Sequence, residues 1–256
     1  VTYCLAIKVE DGLIALADSR VSSGSQVTHA RKVGQVGCDG ARFLIMTSGL
    51  RSVRDKTMVY VERALSQSRG DHPTTMLEAV ALYAKCLRRV AAEDRTAIEA
   101  SDLKFDLHSL VCGRLPDDPG STVYLVYPEG NWIEIVERTP YLSIGATAYG
   151  KPILDRALRF ETPMLTALKL AYLSFDSTRT SSMDVGYPID ILTLCKGENF
   201  WREAQFDYED LQSERSWWNE HLTDLARRMP VGRWVDALLP DGAAHLSVVG
   251  NDEQRA

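Results

Sequence analysis

Apolar and polar residues alternate from the first residues of the chain. Tyr3, Leu5, Ile7 and Val9 alternate with Thr2, Cys4, Ala6, Lys8 and Glu10. A period of two with one apolar face predicts a β-strand. Asp11-Gly12 follows, a dipeptide favoured in two-residue hairpin turns because it accepts positive φ. Leu13 to Ala17 is apolar almost throughout, as a returning buried strand should be. A turn on residues 11 and 12 sets Asp18 opposite Leu5, at the same end of the hairpin as the N-terminus. Ser19 to Ala30 reads as a loose polar stretch. A second hairpin, Lys32–Gly37 with Arg42–Thr47, turns near Asp39-Gly40.

After Thr47-Ser48-Gly49 the period becomes helical. Ser52–Leu65 is predicted as a helix. Leu77, Val80, Ala84, Leu87 and Val90 recur at three- and four-residue spacing on the next one, with Thr74 or Thr75 as its N-cap. Strands resume over Leu107–Cys112, Val123–Tyr127 and Trp132–Val136. Helices follow at Lys151–Phe160 and Met164–Phe175, then a strand at Ile189–Leu194 and a helix at Asp210–Met229. Pro240–Ala256 reads as a frayed tail. Runs of strands followed by helix pairs predict an α+β layered fold, two antiparallel sheets with helices outside. No linker divides the chain, so one domain is expected over residues 2–230, with a C-terminal extension or tail over 231–256.

Composition narrows the function classes. The 256 residues are 45% hydrophobic and 25% charged, values of an ordinary globular protein rather than a disordered or collagenous one. The formal charge is −6, so no basic field recruits nucleic acid. No apolar run approaches the ~20 residues of a spanning helix, so no membrane partner is expected. Cys4, Cys38, Cys86, Cys112 and Cys195 are an odd set without close pairs. Reduced thiols in a cytoplasmic protein are the simplest account. No phosphate loop and no metal-ligand cluster is apparent, and no cofactor is expected.

The candidate chemistry gathers at the start of the chain. A threonine at a free N-terminus has a hydroxyl nucleophile beside an α-amine of pKa about 8, which serves as general base for its own side chain. Asp18 closes a buried strand, where a lone carboxylate is costly. Lys32 begins the next strand and supplies the cation; beside Thr2 it would ease alkoxide formation. Gly49, at a strand-to-helix junction, offers a backbone N–H to an oxyanion. Taken singly, Asp18 is a turn cap, Lys32 a surface lysine and Gly49 a turn glycine; their order along the chain is what points to chemistry. His108 and Cys112 lie on one strand about 13 Å apart, too far for proton transfer. Trp201, Phe206, Tyr208, Trp217 and Trp218 read as core or subunit interface ahead of a ligand platform. Arg227 and Arg228 offset the helix dipole at a C-terminus.

Thr2, Ala17-Asp18-Ser19-Arg20, Arg31-Lys32-Val33 and Thr47-Ser48-Gly49 resemble the N-terminal half of the proteasome β-subunit and HslV superfamily. Ile144-Gly145, Tyr149-Gly150-Lys151-Pro152-Ile153-Leu154-Asp155-Arg156, Phe175-Asp176-Ser177-Thr178 and Val185-Gly186-Tyr187-Pro188-Ile189-Asp190 resemble its bacterial branch called Anbu. The likeness spans roughly residues 2 to 230. It implies an N-terminal-nucleophile hydrolase with a four-layer αββα sandwich, a threonine-type peptidase or amide hydrolase assembled as a ring or open-washer homo-oligomer. It implies Thr2 as nucleophile, Asp18 and Lys32 as the activating pair, and Gly49 as oxyanion donor. The chain departs from the pattern in three places. Val1 precedes Thr2 and is expected to be absent from the working protein, as the translation of a GTG start. Ala146-Thr147 follows Gly145 where active subunits carry serine. The residue supporting the terminal amine is Ser182 or Asp184. The alternatives are a catalytically weak or silent ring-forming scaffold, an amidase acting on non-peptide amides, and a monomeric binder. The sequence says nothing of a partner ATPase.

Overall fold

The computed structural model describes residues 2–23, 26–38, 41–67, 72–230, 232, 235 and 238. Two compact units divide the chain, Val1–Asp207 and Tyr208–Ala256. The first holds twelve described strands and four α-helices. Strands β1 (Tyr3–Val9), β2 (Gly12–Asp18), β3 (Arg20–Ser23), β4 (Gln26–His29), β5 (Val33–Cys38) and β6 (Ala41–Gly49) lead into helices α1 (Arg51–Gln67) and α2 (Met76–Glu99). Strands β7 (Leu107–Gly113), β8 (Thr122–Val126), β9 (Trp132–Glu134) and β10 (Tyr141–Gly145) precede helices α3 (Lys151–Ala157) and α4 (Met164–Ser181). Strands β11 (Ile189–Cys195) and β12 (Arg202–Phe206) close the unit. The second unit holds a short 3-10 turn, Glu209–Leu211, and helix α5 (Gln212–Arg228). Helix α5 was expected inside the 2–230 domain. Val1, Asp39-Gly40 and the stretch 240–256 lie outside the described residues.

The sheets are antiparallel, one ordered β10-β1-β2-β11-β12 and the other β5-β6-β7-β8-β9. They face each other across a buried apolar layer that includes Cys4, Ala6, Leu13, Ala15, Val33, Leu44, Met46, Leu110 and Leu192. A second core lies between the β5–β9 sheet and α1 and α2, around Phe43, Ile45, Val80, Tyr83 and Leu87. Helix α4 packs on β1 and β2, burying Ala167, Ala171 and Phe175. The result is the αββα sandwich. It also explains why β1 is buried on both faces, although its alternation predicts one: each sheet is covered by helices outside and by the other sheet inside.

The first hairpin differs from expectation. Cys4 pairs with Ala17 and Val9 with Gly12, so the turn is Glu10-Asp11 and Asp18 falls beside Tyr3 rather than Leu5. The two-residue slip keeps every side chain on its face. Gly12 serves a close approach instead of the turn. Its φ is +140° and a Cβ there would overlap the Leu194 carbonyl of β11. Asp11 is freed to accept the Met164 N–H at 3.0 Å, capping α4. Thr75 caps α2 in a reciprocal box with Glu78. Three features escape the periodicity. The β3–β4 hairpin is short and polar, β10 is five residues, and β12 is an exposed Arg-Glu-Ala-Gln edge.

The different roles of the two turn residues separate in mutagenesis. Asp11→Ala should lower stability by about 1 kcal/mol, the worth of a helix cap. Gly12→Ala should cost more, because strain and overlap add. Urea unfolding of both variants measures the order; equal losses would contradict it.

Candidate active site

Strand ends meet at one edge of the sandwich: β1, β5, β7 and β11 begin there, and β2, β6 and β10 end there. Asp18, at the end of β2, is fully buried. Lys32 Nζ donates to its Oδ1 at 2.9 Å and its Oδ2 at 2.8 Å. The Tyr3 backbone N–H donates to the same Oδ1 at 2.8 Å, and the Gly186 N–H also reaches this carboxylate. Burial pushes the Asp18 carboxyl above its ordinary value, while the Lys32 ammonium and the donated hydrogen bonds pull it back. Lys32 is itself buried. A cation and an anion withdrawn from water persist only with such saturated bonding.

Asp18 therefore grips the peptide bond that joins Thr2 to Tyr3. Thr2 is buried, and its carbonyl accepts the Ala146 N–H at 2.7 Å. Gly145 (φ +87°) makes this contact possible, since a Cβ there would overlap the Thr2 carbonyl and stand 3.3 Å from Ser48 Oγ. Ala146 thus supplies a backbone donor to Thr2 but a methyl where a hydroxyl was expected. Tyr3 is fixed from below by a buried hydrogen bond between its hydroxyl and Ser174 on α4.

Ser48 brings the end of β6 against Gly145, and Gly49 follows it in the chain. Gly49 is exposed and has φ +138°. A Cβ would overlap the Asp106 carbonyl, which accepts the Leu50 N–H at 2.8 Å. Close packing of β6 on the chain before β7 is reason enough for glycine at this position. On the other side, the Thr47 N–H donates to the Lys32 carbonyl at 3.3 Å. The Thr47-Ser48-Gly49 run borders both Lys32 and Thr2.

Ser182 and Asp184 lie after α4, both half-buried. The Ser182 N–H closes the helix on the Thr178 carbonyl at 2.8 Å, and its own carbonyl accepts the Val185 N–H at 3.2 Å. Gly186 in the same loop has a role that its sequence did not suggest: it donates to Asp18, and a Cβ on it would stand 2.9 Å from Arg20 Cδ. Asp190 was also missed. It is buried, accepting Ser19 Oγ at 2.7 Å and Gln205 Nε2 at 2.9 Å, and it fastens the end of β2 to β11 and β12. The motif around Asp190 was visible in the sequence, but its partners, far away in the chain, were not.

The other candidates resolve simply. His108 packs edge-on against Tyr127 at 5.9 Å, while Cys112 is buried between the sheets, where burial pushes its thiol up to about 12. Trp201 belongs to the inter-sheet core. Tyr208 and Trp217, in the second unit, stack on Arg215 (3.6 Å) and His221 (4.1 Å) respectively. Among the described residues no group of three or more His, Cys, Asp or Glu is arranged to hold a metal, and no helix is long and apolar enough to cross a membrane.

Comparison with solved structures decides the family. The Anbu subunit of a helical assembly from Pseudomonas aeruginosa superposes with a TM-score of 0.83 at 30% identity, over 91% of this chain and 99% of that one. The chain belongs to the Anbu family. An Anbu structure from Hyphomicrobium sp. strain MC1 gives 0.82 at 26% identity, over 91% and 99% of the two chains. Anbu from Yersinia bercovieri gives 0.79 at 27%, over 90% and 99%. Among curated proteins, proteasome subunit beta 1 of Pyrobaculum arsenaticum is 20% identical, over 78% of this chain and 93% of its own. No protein-family model matches the sequence. The Anbu and proteasome likenesses agree on a proteasome-like N-terminal-nucleophile fold; of the Anbu signatures in the sequence, Ile144-Gly145 ends β10 beside Thr2, while Tyr149–Arg156 and Phe175–Thr178 lie on α3 and α4.

The Asp18–Lys32 pair should behave as a unit. Asp18→Asn or Lys32→Met alone leaves a buried charge unpaired and should cost about 3–5 kcal/mol. The double variant should cost clearly less than the two losses added together. A urea-unfolding double-mutant cycle reads the coupling; additive losses would show two independent residues.

Proposed function

We propose that this chain is a threonine-type amide hydrolase, acting on peptides, with Thr2 as nucleophile, and that it works as a homo-oligomer. The observation that carries the reading is the buried Asp18 carboxylate, which binds the Lys32 ammonium and the Tyr3 N–H through one shared oxygen. A buried cation is thereby tied, through that carboxylate, to the peptide bond that follows Thr2, which supports a role at the Thr2 hydroxyl. The reading requires Thr2 to be the first residue of the working protein.

With a free α-amine, the steps follow from the residues present. Thr2 Oγ attacks the carbonyl carbon of the substrate, and its proton passes to the Thr2 amine. The Lys32 ammonium stabilises negative charge developing on Thr2 Oγ, and the Gly49 N–H donates to the oxygen of the tetrahedral intermediate. Collapse breaks the C–N bond; the Thr2 ammonium returns the proton to the leaving amine, leaving an ester on Thr2. Water, deprotonated by the same amine, hydrolyses that ester and restores the hydroxyl. Asp18 touches no reacting atom. It is a positioning residue, holding Lys32 and the Thr2–Tyr3 peptide in fixed relation.

The likeness to proteasome β-subunits supports peptide as the substrate class. The P. aeruginosa relative, described as a helical assembly, supports the assembled state. One observation favours a weaker enzyme or a silent scaffold instead: Ala146 holds Thr2 with its backbone but offers no hydroxyl to the amine. A panel of fluorogenic peptide amides, with assembly followed by light scattering, separates the readings. Thr2→Ala should abolish turnover, Thr2→Ser should retain part of it, and both should assemble like the parent. Turnover unchanged in Thr2→Ala would overturn the assignment.

A further inference from the structure

The cleft between the two sheets is apolar inside and polar at the edge where Thr2 lies. Leu44 and Met46 of β6, with Leu110 and Cys112 of β7, point into the inter-sheet core. Residues two apart on a strand share a face, so Ser48 and His108 also point toward the other sheet. The two are directly opposite in the β6–β7 ladder, which sets their Cβ atoms about 5 Å apart. Across the cleft is the Thr2 segment. A Cβ on Gly145 would lie 1.8 Å from the Thr2 carbonyl oxygen and 3.3 Å from Ser48 Oγ. The order in space is therefore Thr2, Ser48, His108.

A carboxylate stands on the far side of the imidazole. His108 Nδ1 is 2.9 Å from Asp106 Oδ1, a buried oxygen that receives no hydrogen bond among the described residues. An unpaired anion at that distance holds a proton on Nδ1 by charge, so the neutral ring keeps its lone pair on Nε2. Tyr127 packs edge-on at 5.9 Å and restricts rotation of the ring. The His108 side chain is 38% exposed, which puts this base in contact with water. Ser48 Oγ makes no hydrogen bond among the described residues, and it can meet the imidazole by turning about χ1. Carboxylate, imidazole and hydroxyl in this order are the parts that move a proton in acyl transfer. The titratable groups facing the ring are Asp106 and Tyr127; Tyr141 of β10 is committed to Asp155 and Lys151.

We propose that Ser48, His108 and Asp106 form a proton-accepting arm of the Thr2 site, serving the water that cleaves the acyl ester. The water oxygen bonds to the ester carbonyl carbon as its proton passes to Ser48 Oγ and the Ser48 proton passes to His108 Nε2. Collapse breaks the C–O bond to Thr2, and the imidazolium returns its proton along the same path to Thr2 Oγ. Asp106 touches no reacting atom and is a positioning residue. The arm is a second base beside the Thr2 amine, to which Ala146 offers no hydroxyl. The proposal rests on the Thr2 reading above and deepens it.

Two readouts separate the arm from the nucleophile: turnover of a fluorogenic peptide amide, and the rate at which excess epoxyketone adds to Thr2, a reaction with no attacking water. His108→Ala should lower kcat and KM together, each about tenfold, because the ester accumulates while acylation is untouched. The acyl adduct should then be visible in the intact mass during turnover. Ser48→Ala, and His108→Gln, which keeps more of the side-chain volume, should behave alike. Epoxyketone addition should keep the parent rate in all three. Added imidazole should restore part of the turnover of His108→Ala. Turnover unchanged in His108→Ala would overturn the arm and leave the Thr2 reading standing. Loss of epoxyketone addition along with turnover, without rescue by imidazole, would show a structural role for His108 and overturn the arm as well. A parent that neither turns over nor takes the adduct would overturn the Thr2 reading and the arm with it.

Discussion

A carboxylate with no exposure to water has to be satisfied entirely by the protein, and Asp18 meets that constraint by drawing four segments together. Lys32 arrives from the start of β5, the Tyr3 N–H from the start of β1, and the Gly186 N–H from the loop before β11. Without these partners the charge would be intolerable between two sheets. With them, the pair locks the N-terminus of β1 at a fixed place in the sandwich. The rest of the site follows from that place. Gly145 is glycine because the Thr2 carbonyl lies where its side chain would be. Ser48 reaches the same spot from β6, bringing Gly49 along.

The surrounding packing stiffens this arrangement rather than adding chemistry. The Tyr3 hydroxyl is tied to Ser174 beneath the sheet. Asp190 holds Ser19 and Gln205, so the residue after Asp18 is pinned as firmly as the residue after Thr2. Both sheets are covered on both faces, and the strand ends have little freedom to move apart. Preorganisation of this kind is what electrostatic catalysis requires, because a cation must already be aimed at the place where charge develops.

Much of this was legible in the chain. Alternation at Tyr3–Val9 and the apolar run Leu13–Ala17 locate the first hairpin, and the helical spacing from Leu77 to Val90 locates α2. Thr2, Asp18, Lys32 and Gly49 could be singled out by residue type and order. The register could not. Asp11-Gly12 has the composition of a turn, but Gly12 answers to a strand far away in sequence and Asp11 to a helix 153 residues on. The roles of Gly186, Asp190 and Ser174 were hidden for the same reason: their partners are long-range and polar, and periodicity reports only the apolar face. Strand β12 escaped because an exposed edge needs no apolar pattern at all.

The proposed chemistry needs Thr2 as a terminal residue with a free amine and a reactive hydroxyl. Intact-protein mass spectrometry on untagged, natively expressed protein tests it most directly, before and after excess epoxyketone, an electrophile that needs both the hydroxyl and the free amine of one residue. The expected product is a chain beginning at Thr2 that gains one adduct. A chain that keeps a residue ahead of Thr2, or a free Thr2 that never reacts, would contradict it.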